Sequence, residues 1–433
     1  MECTKRGLTS VAVCSTAFAP LGRLQASALA CPDLPISVVP HPFGLLTRED
    51  IRRIAAPCAA DIARLLCDSA VANSMAAQAF ASTGDSAALI EVPEDPHELN
   101  RFFHEQRWSD GLPVVAPTRE YVDLMLRHTR RAPNEVVAKI APAFGAATVE
   151  RIAINAVLAG CYPEYLPVLL AAVEAMAAPE LNLQTIQSTT NPAGLWLIVN
   201  GPVADRLGIN SGPSCLGPGS WANATMGRAL RLIQQNIGGA LPGVMDRATH
   251  GYPGKYTFCC AENEKLTPWE PLHVERGYAR HASTVTLVGA LGTLNLNTHS
   301  KNADDVLRVF ADSMAYPAVI DYIYGGEPWL ILSPEHADIL KRAGYTKSEV
   351  KRRLWEQSKL SASRLADRDL GRAQNARRAE LGEITRETLL PISVRADDIG
   401  IIVAGGAGTH SVYVPVCGGV SRSVTREVIL SVL

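Results

Sequence analysis

The sequence holds ten cysteines but no CxxC pair, and no apolar run in it approaches the about 18 residues of a membrane-spanning helix. Without a pair, a zinc ribbon or metal cluster has no support. The cysteines are Cys3, Cys14, Cys31, Cys58, Cys67, Cys161, Cys215, Cys259, Cys260 and Cys417. Scattered over a chain of this length, they do not form a secreted disulfide framework. They read as buried small apolar side chains in a reducing, cytoplasmic compartment. A charge surplus is also missing, since 41 basic residues face 43 acidic ones for a net charge of -2. Nothing there draws in a phosphate backbone, so nucleic acid is not an expected partner, and neither is a membrane. HExxH, Walker A and GxGxxG patterns are absent, which leaves no nucleotide-cofactor motif. No internal repeat stands out. Lys5 and Arg6 precede a semi-apolar stretch, and Ala28-Leu29-Ala30-Cys31 mimics a processed lipoprotein start. Thr9, Ser10, Ser15, Thr16 and Pro20 break that stretch, so it reads as a strand followed by a helix.

What is present is an ordinary globular composition, 47% apolar and 19% charged over 433 residues. Length predicts two or three domains. Residues 8–14 (LTSVAVC) predict a buried strand and 18–29 a helix. Residues 36–39 predict a second strand, and a helix from 47 to 67 opens with Glu49 and Asp50. This β-α-β-α unit, residues 1–68, is too small to cover both faces of a parallel sheet. An Ala- and Ser-rich linker, 69–96, leads to a large region, 97–433, with a candidate subdomain break near 325. Strands are expected there at 112–116, 195–199, 283–287, 329–332 and 399–404. Helices are expected at 118–129, 148–160, 163–176, 222–237, 304–314, 334–343 and 346–357, with a charged, solvated helix at 364–386. The alternation predicts an α/β fold with a mostly parallel sheet.

The stretch TSVAVCSTAFAPLGRLQASAL, followed by PDLPISVVPHPFGLLTREDI, resembles the second half of the UGSC (selenocysteine-Gly-Ser-Cys) module. It is more distantly similar to the C-terminal end of the selenoprotein B component of glycine and sarcosine reductases. The turn Pro40-His41-Pro42-Phe43-Gly44 carries that likeness, with His41 as a structural turn residue. The resemblance implies thiol- or selenol-assisted cleavage of a carbon–heteroatom bond. In the family a Cys- or selenocysteine-Gly-Ser-Cys motif occupies the first half, and no CGSC occurs in these residues. The resemblance therefore implies a small CGSC-bearing subunit or self-association to complete the sheet. WSDGLPVVAPT, LGINSG, GPGSWANATMGRALRLI, DRATHGYPGKYTFCCAENE and GTHSVYVP resemble the long C-terminal region of some UGSC-family proteins.

The richest polar cluster is Asp246, His250, Lys255, Cys259, Cys260, Glu262, Asn263, Glu264, His273, Glu275 and Arg276, interleaved with Gly and Pro. His250, Lys255, Glu262, Asn263, His273 and Glu275 are the candidate catalytic groups, with Cys259 the candidate thiol nucleophile. Two histidines and a glutamate also make a divalent metal a candidate cofactor, without fixed ligand spacing. The Gly-rich loop 212–225 opens onto a helix, so Gly217, Gly219, Ser220, Asn223 and Thr225 form a candidate anion pocket. His410 and Ser411 follow a Gly-rich turn at a strand end, where α/β sheets bind ligands. Neighbours on a strand point to opposite faces, so those two are not expected to cooperate. Cys14, at the end of the first strand, is a further candidate thiol. Three functions remain open. One is the large subunit of a UGSC-type enzyme acting on a small, polar or anionic substrate. Another is a non-redox lyase, hydrolase or transferase built on His250, Glu262, His273 and Glu275. The third is a non-catalytic scaffold.

Overall fold

A computed structural model describes residues 2–6, 8–43, 46–68 and 84–430. Most of the expected linker, residues 69–83, lies outside them. Its remainder runs without regular structure, tied down by Gly84 N–H to Asn134 O (2.9 Å) and Ala87 N–H to Glu150 Oε2 (2.9 Å).

The first unit pairs β1 (Ala12–Ser15) in parallel with β2 (Ile36–Val39), Cys14 opposite Val38. The first strand is shorter than the expected 8–14 because its partner offers only four residues. Helices Ala19–Ala28 and Arg48–Asp68 pack on the pair, yet Val13 and Val38 stay 51% and 42% exposed. One polar side chain latches this unit to the rest. Gln25 is buried, donates to Pro142 O, and accepts from Gln184 Nε2 (2.5 Å).

The large region begins with the hairpin β3 (Val136–Ile140) and β4 (Gly145–Thr148). Thr148 then caps the helix Val149–Ala159 through the Arg151 N–H, and Gly160 ends it at φ 85°. After the helix Leu166–Met176 come β5 (Gly194–Asn200), β6 (Cys259–Ala261), β7 (Thr284–Ala290) and β8 (Leu294–Asn297). They are followed by β9 (Trp329–Leu332), a short antiparallel pair of β10 (Leu360–Ser361) with β11 (Leu389–Leu390), β12 (Gly400–Val403), β13 (His410–Val414) and β14 (Val424–Glu427).

The class is α/β, but the sheets are mixed. One sheet has the order β14-β7-β5-β6 and the other β8-β13-β9-β12. Only β5–β6 and β9–β12 are parallel within them, and the other neighbours run antiparallel. The expected mostly parallel sheet is thus corrected: β7 and β13 run opposite to β5 and β9, and β14 and β8 run opposite to β7 and β13 in turn. The sheets stack face to face between two helix layers. Alternation along each strand builds this, for Leu195, Leu197 and Val199 face helices while Trp196 and Ile198 face the other sheet. Likewise Leu330 and Leu332 face helices, and Trp329 and Ile331 face the seam.

The two sheets share one construction. Trp196 pairs with Val288, and Trp329 pairs with Val414. Leu197 lies beside Cys259, and Leu330 beside Ile401. This register makes Ala290 equivalent to Val416, and these two residues meet in an isolated antiparallel bridge. Trp196 and Trp329 meet edge-on, with centroids 5.7 Å apart at 82°. Contacts between equivalent residues are what an approximate two-fold axis produces. The fourth strands are exchanged, since β8 follows β7 in the chain but pairs with β13, while β14 follows β13 but pairs with β7. The large region therefore contains an internal repeat, which the sequence pattern alone did not reveal. Its trace is Trp-Leu-Ile followed by Pro and Ala-Asp, at Trp196–Ile198 with Pro202, Ala204 and Asp205, and at Trp329–Ile331 with Pro334, Ala337 and Asp338. A cut near 325 also strands β8, which belongs to the second sheet, on the wrong side.

Two other expectations change. Residues 112–116 form no strand, because Ser109 Oγ and Arg228 Nη2 donate to Leu112 O and the Val114 N–H goes to Asn100 Oδ1. The charged stretch 364–386 does form the helix Asp367–Leu381, but Arg377 is 1% exposed and donates inward to Tyr322 O (3.1 Å).

Asp321 sits fully buried near the seam, its Oδ1 unpartnered and its Oδ2 accepting from the Val416 N–H (3.4 Å). Burial pushes its carboxyl up to about 8. Between the unfolded value and about 8 the folded chain holds one proton more than the unfolded chain, so stability falls as pH rises through that window. In urea titrations at pH 5 and pH 8.5, Asp321→Asn is expected to lose most of this pH slope. An unchanged slope refutes the assignment.

Candidate functional site

A cavity of about 680 Å³ opens between three segments. The turn after helix Pro96–Glu105 contributes Arg107 and Asp110, and helix Trp221–Asn236 contributes Arg231 and Gln235. The loop before β6 contributes Asp246, His250, Tyr252 and Lys255. Ser220 starts the second helix by accepting the Asn223 N–H. Its polar stripe then carries Arg228, Arg231 and Gln235 inward, one turn apart.

Asp246 is the anchor of the cavity wall. It is 5% exposed, with Oδ2 2.7 Å from Lys255 Nζ and 3.3 Å from Arg231 Nη1. Arg228 makes a two-pronged contact with Asp110 at 2.9 and 2.8 Å. Gln235 Nε2 donates to Arg107 O and Ser109 O, 2.9 Å each, and so fixes the turn. Three cations, Arg107, Arg231 and Lys255, thus line the cavity with two carboxylates, Asp110 and Asp246. Burial lowers the affinity of Arg231 and Lys255 for their protons, and Asp246 opposes that effect. An additional anion in the cavity would relieve the excess positive charge.

The sequence cluster does not form one site. β6 runs through the core between its two halves. Asp246, His250 and Lys255 precede the strand and line the cavity. Glu262, Asn263 and His273 follow it and lie at the carboxyl ends of β5 and β6. There Glu262 Oε2 accepts from Asn200 Nδ2 and the Leu272 N–H, 2.7 Å each. Glu264 Oε1 accepts from the Gly201 N–H (2.6 Å) and lies 3.6 Å from His273 Nδ1. His273 Nε2 contacts Arg280 O at 3.2 Å. Glu262 Oε1 and Asn200 Oδ1 are buried without partners, and burial raises the Glu262 carboxyl despite nearby Lys347. Asn263 Oδ1 accepts from the Leu266 N–H, which shapes the loop. Glu275 is drawn elsewhere, to Lys347 Nζ (2.7 Å) and Lys351 Nζ. Arg276 lies over Trp329. Among the described residues, no three His, Cys, Asp or Glu side chains are arranged to hold a metal ion.

The other candidates also separate. Cys259 faces the helix layer at 3% exposure, and burial pushes its thiol well up, which corrects its assignment as a nucleophile. The Gly-rich loop spends its donors on itself. Asn223 Nδ2 donates to Asn210 O, Cys215 O and Cys259 O, and Thr225 Oγ1 donates to Trp221 O. The Gly217 N–H goes to Ser214 O, and Gly219 turns the chain at φ 117°. The expected anion pocket at Gly217, Gly219, Ser220, Asn223 and Thr225 is therefore a helix cap. His410 is exposed near His299, whereas Ser411 is buried 2.8 Å from His336 Nδ1. No sequence pattern singles out His336. Its partner lies 75 positions away, with no spacing to signal it. Cys14 is half-buried, and burial raises its thiol. Arg107 carries no motif, whereas Asp110 belongs to the WSDG stretch and Arg228 and Arg231 belong to GPGSWANATMGRALRLI, none of them singled out there as a site residue.

The first unit approaches the cavity wall. Arg247, between the lining residues Asp246 and Ala248, lies over the Phe18 ring at 5.4 Å. Phe18 in turn packs on His41, which sits 3.0 Å from Ser15 Oγ at the end of β1. The fold is a four-layer α/β sandwich with a basic cavity beside a small two-stranded unit. That unit, residues 1–68, matches the UGSC family model. No curated protein and no solved structure matches the chain. Among the described residues, no helix is long and apolar enough to cross a membrane.

Removing Asp246 leaves two buried cations unpaired. Asp246→Ala is expected to cost about 3–5 kcal/mol in urea unfolding at pH 7. A loss under about 1 kcal/mol, the scale of an exposed pair, refutes its anchoring role. In the native chain Cys259 should also resist iodoacetamide while exposed Cys3 and Cys67 react, as read by mass spectrometry.

Proposed function

We propose that this chain is the large, substrate-holding subunit of a UGSC-type enzyme. Its substrate is a small anion bound in the basic cavity. The reaction is thiol- or selenol-assisted cleavage of a carbon–heteroatom bond, with the CGSC-bearing half of the module on a small partner subunit. The supporting observation is the contact of Arg247 with Phe18. It sets the UGSC-matched unit against the wall that holds Arg231 and Lys255. The exposed Val13 and Val38 on the two-stranded pair are apolar strand surface for a partner to cover.

In this reading Arg231 and Lys255 bind the anionic group of the substrate. His250 and Tyr252, also in the cavity lining, flank it, and His250 is the group assigned to move a proton. The test is thermal denaturation with inorganic phosphate and small dicarboxylates. They should raise the Tm of the wild type, and Lys255→Met should weaken binding about tenfold, the worth of one charge-assisted hydrogen bond. Lys347→Met, remote from the cavity, should bind as the wild type does. No response to any anion, or equal loss in both variants, overturns the cavity assignment. Purification from the native host should bring down a small CGSC or selenocysteine protein. A lone chain that is fully active refutes the partner.

A second reading is supported by Glu262 beside Asn200, its carboxyl raised by burial and its Oε1 without a partner. There the reaction is non-redox, a lyase, hydrolase or transferase step with Glu262 as the proton-transfer group. Activity that survives thiol alkylation and is lost in Glu262→Gln favours it over the first.

A further inference from the structure

Two thiols meet at the seam between the sheets. Cys260 lies on β6 and is fully buried there. Strand alternation turns its neighbour Cys259 to the helix layer and Cys260 to the seam, so the two adjacent residues do not share a face. Cys215 sits in the Gly-rich loop. The loop runs along the surface, with Leu216 38% exposed and Ser214 at φ 59°, but the Cys215 side chain turns in and is 6% exposed. Its thiol contacts that of Cys260. A single side chain holds the two segments together, for Asn223 Nδ2 donates to Cys215 O (3.0 Å) and to Cys259 O (3.1 Å). Asn223 is itself buried and fixed by Ser220 Oγ (2.8 Å) and the Asn210 N–H (2.8 Å).

We propose that Cys215 and Cys260 are a redox-active dithiol that exchanges with a low-molecular-weight disulfide. Cys215, on the surface loop, is the attacking sulfur, and Cys260, behind it, is the resolving one. The Cys260 thiol and the backbone N–H groups of Cys215 and Leu216 hold the Cys215 thiol below its ordinary range, against the effect of burial. The same hydrogen bond, with burial, pushes Cys260 up. The roles follow position, because Cys215 lies in the surface loop and Cys260 lies behind it on the buried strand. In the first step the Cys215 thiolate attacks one sulfur of the small disulfide. The S–S bond breaks, one thiolate leaves and takes up a proton, and a mixed disulfide remains on Cys215. In the second step Cys260 loses its proton and attacks the Cys215 sulfur, releasing the second thiol. Two protein thiols are oxidised to one disulfide, and the small disulfide is reduced to two thiols. The reverse sequence restores the dithiol. This pair asks nothing of the cavity, so either assignment stands if the other fails.

The test uses the full chain and glutathione buffers of graded oxidised-to-reduced ratio, quenched in acid, alkylated under denaturing conditions and digested with trypsin. A disulfide between the peptides 207–228 and 256–265 is expected to appear reversibly as the ratio rises. It should persist in Cys259→Ser and vanish in Cys260→Ser, which should instead retain one glutathione on Cys215. Emission from Trp196, in the same buried cluster as both thiols, should fall in step with oxidation of the pair. If Cys215 and Cys260 both remain alkylatable at ratios that glutathionylate exposed Cys3 and Cys67, the proposal is wrong. A disulfide that joins Cys215 to Cys259 instead also overturns it. Where a serine variant fails to fold, fragmentation of the wild-type linked peptides between Cys259 and Cys260 assigns the bond.

Discussion

The contact of Trp196 with Trp329 is the constraint on which the large region depends. An edge-on aromatic pair adds only about 0.5–1.5 kcal/mol beyond the area it buries. Its weight comes from position, because it lies on the approximate two-fold axis with Ile198, Ile331, Val288 and Val414 packed around it. Each sheet is then buried on both faces, which accounts for the unbroken apolar runs of β5 and β9. The exchange of β8 and β14 strengthens the coupling. Neither sheet has its fourth strand without the other half of the chain, so the two repeats fold as one unit.

The same seam distributes the polar groups. β6 enters the core from the cavity side and leaves it at the carboxyl end of β5. A loop rich in titratable residues is divided into two environments by three strand residues. Before the strand, Asp246 gathers Arg231 and Lys255 at a surface cavity. After it, Glu262 and Glu264 tie the loop to the end of β5 through Asn200 and the Gly201 and Leu272 N–H groups. Cys260, within the strand, meets Cys215 instead of its neighbour in sequence. The UGSC-matched unit contributes little burial of its own. It is positioned by Gln25, whose two hydrogen bonds, at roughly 1 kcal/mol each, latch it beside the cavity.

Much of the local structure was legible in the sequence. The helix capped by Thr148, the strand Ile36–Val39 and the strand Trp329–Leu332 follow from spacing, capping residues and β-branched runs, which act over a few positions. The strand expected at 112–116 failed because side chains of Ser109, Asn100 and Arg228 claim its backbone groups. The parallel sheet failed because pairing direction depends on how the chain returns. Of the candidate site, Asp246, His250 and Lys255 were visible as a dense polar run. Arg228 and Arg231 were not, since a basic residue on an amphipathic helix looks the same whether it faces solvent or a cavity, and Arg107, in a turn, has no pattern at all.

By itself the sequence determined the α/β class, the UGSC likeness of residues 1–68 and the polar run around Lys255. All of these rest on residue type and short-range order. The tertiary structure alone decided the two-fold repeat, the exchanged strands, the charge balance of the cavity and the pairing of Cys215 with Cys260. Each of these is a relation between segments tens of residues apart, and only the close packing of the two sheets brings such segments within reach of one another.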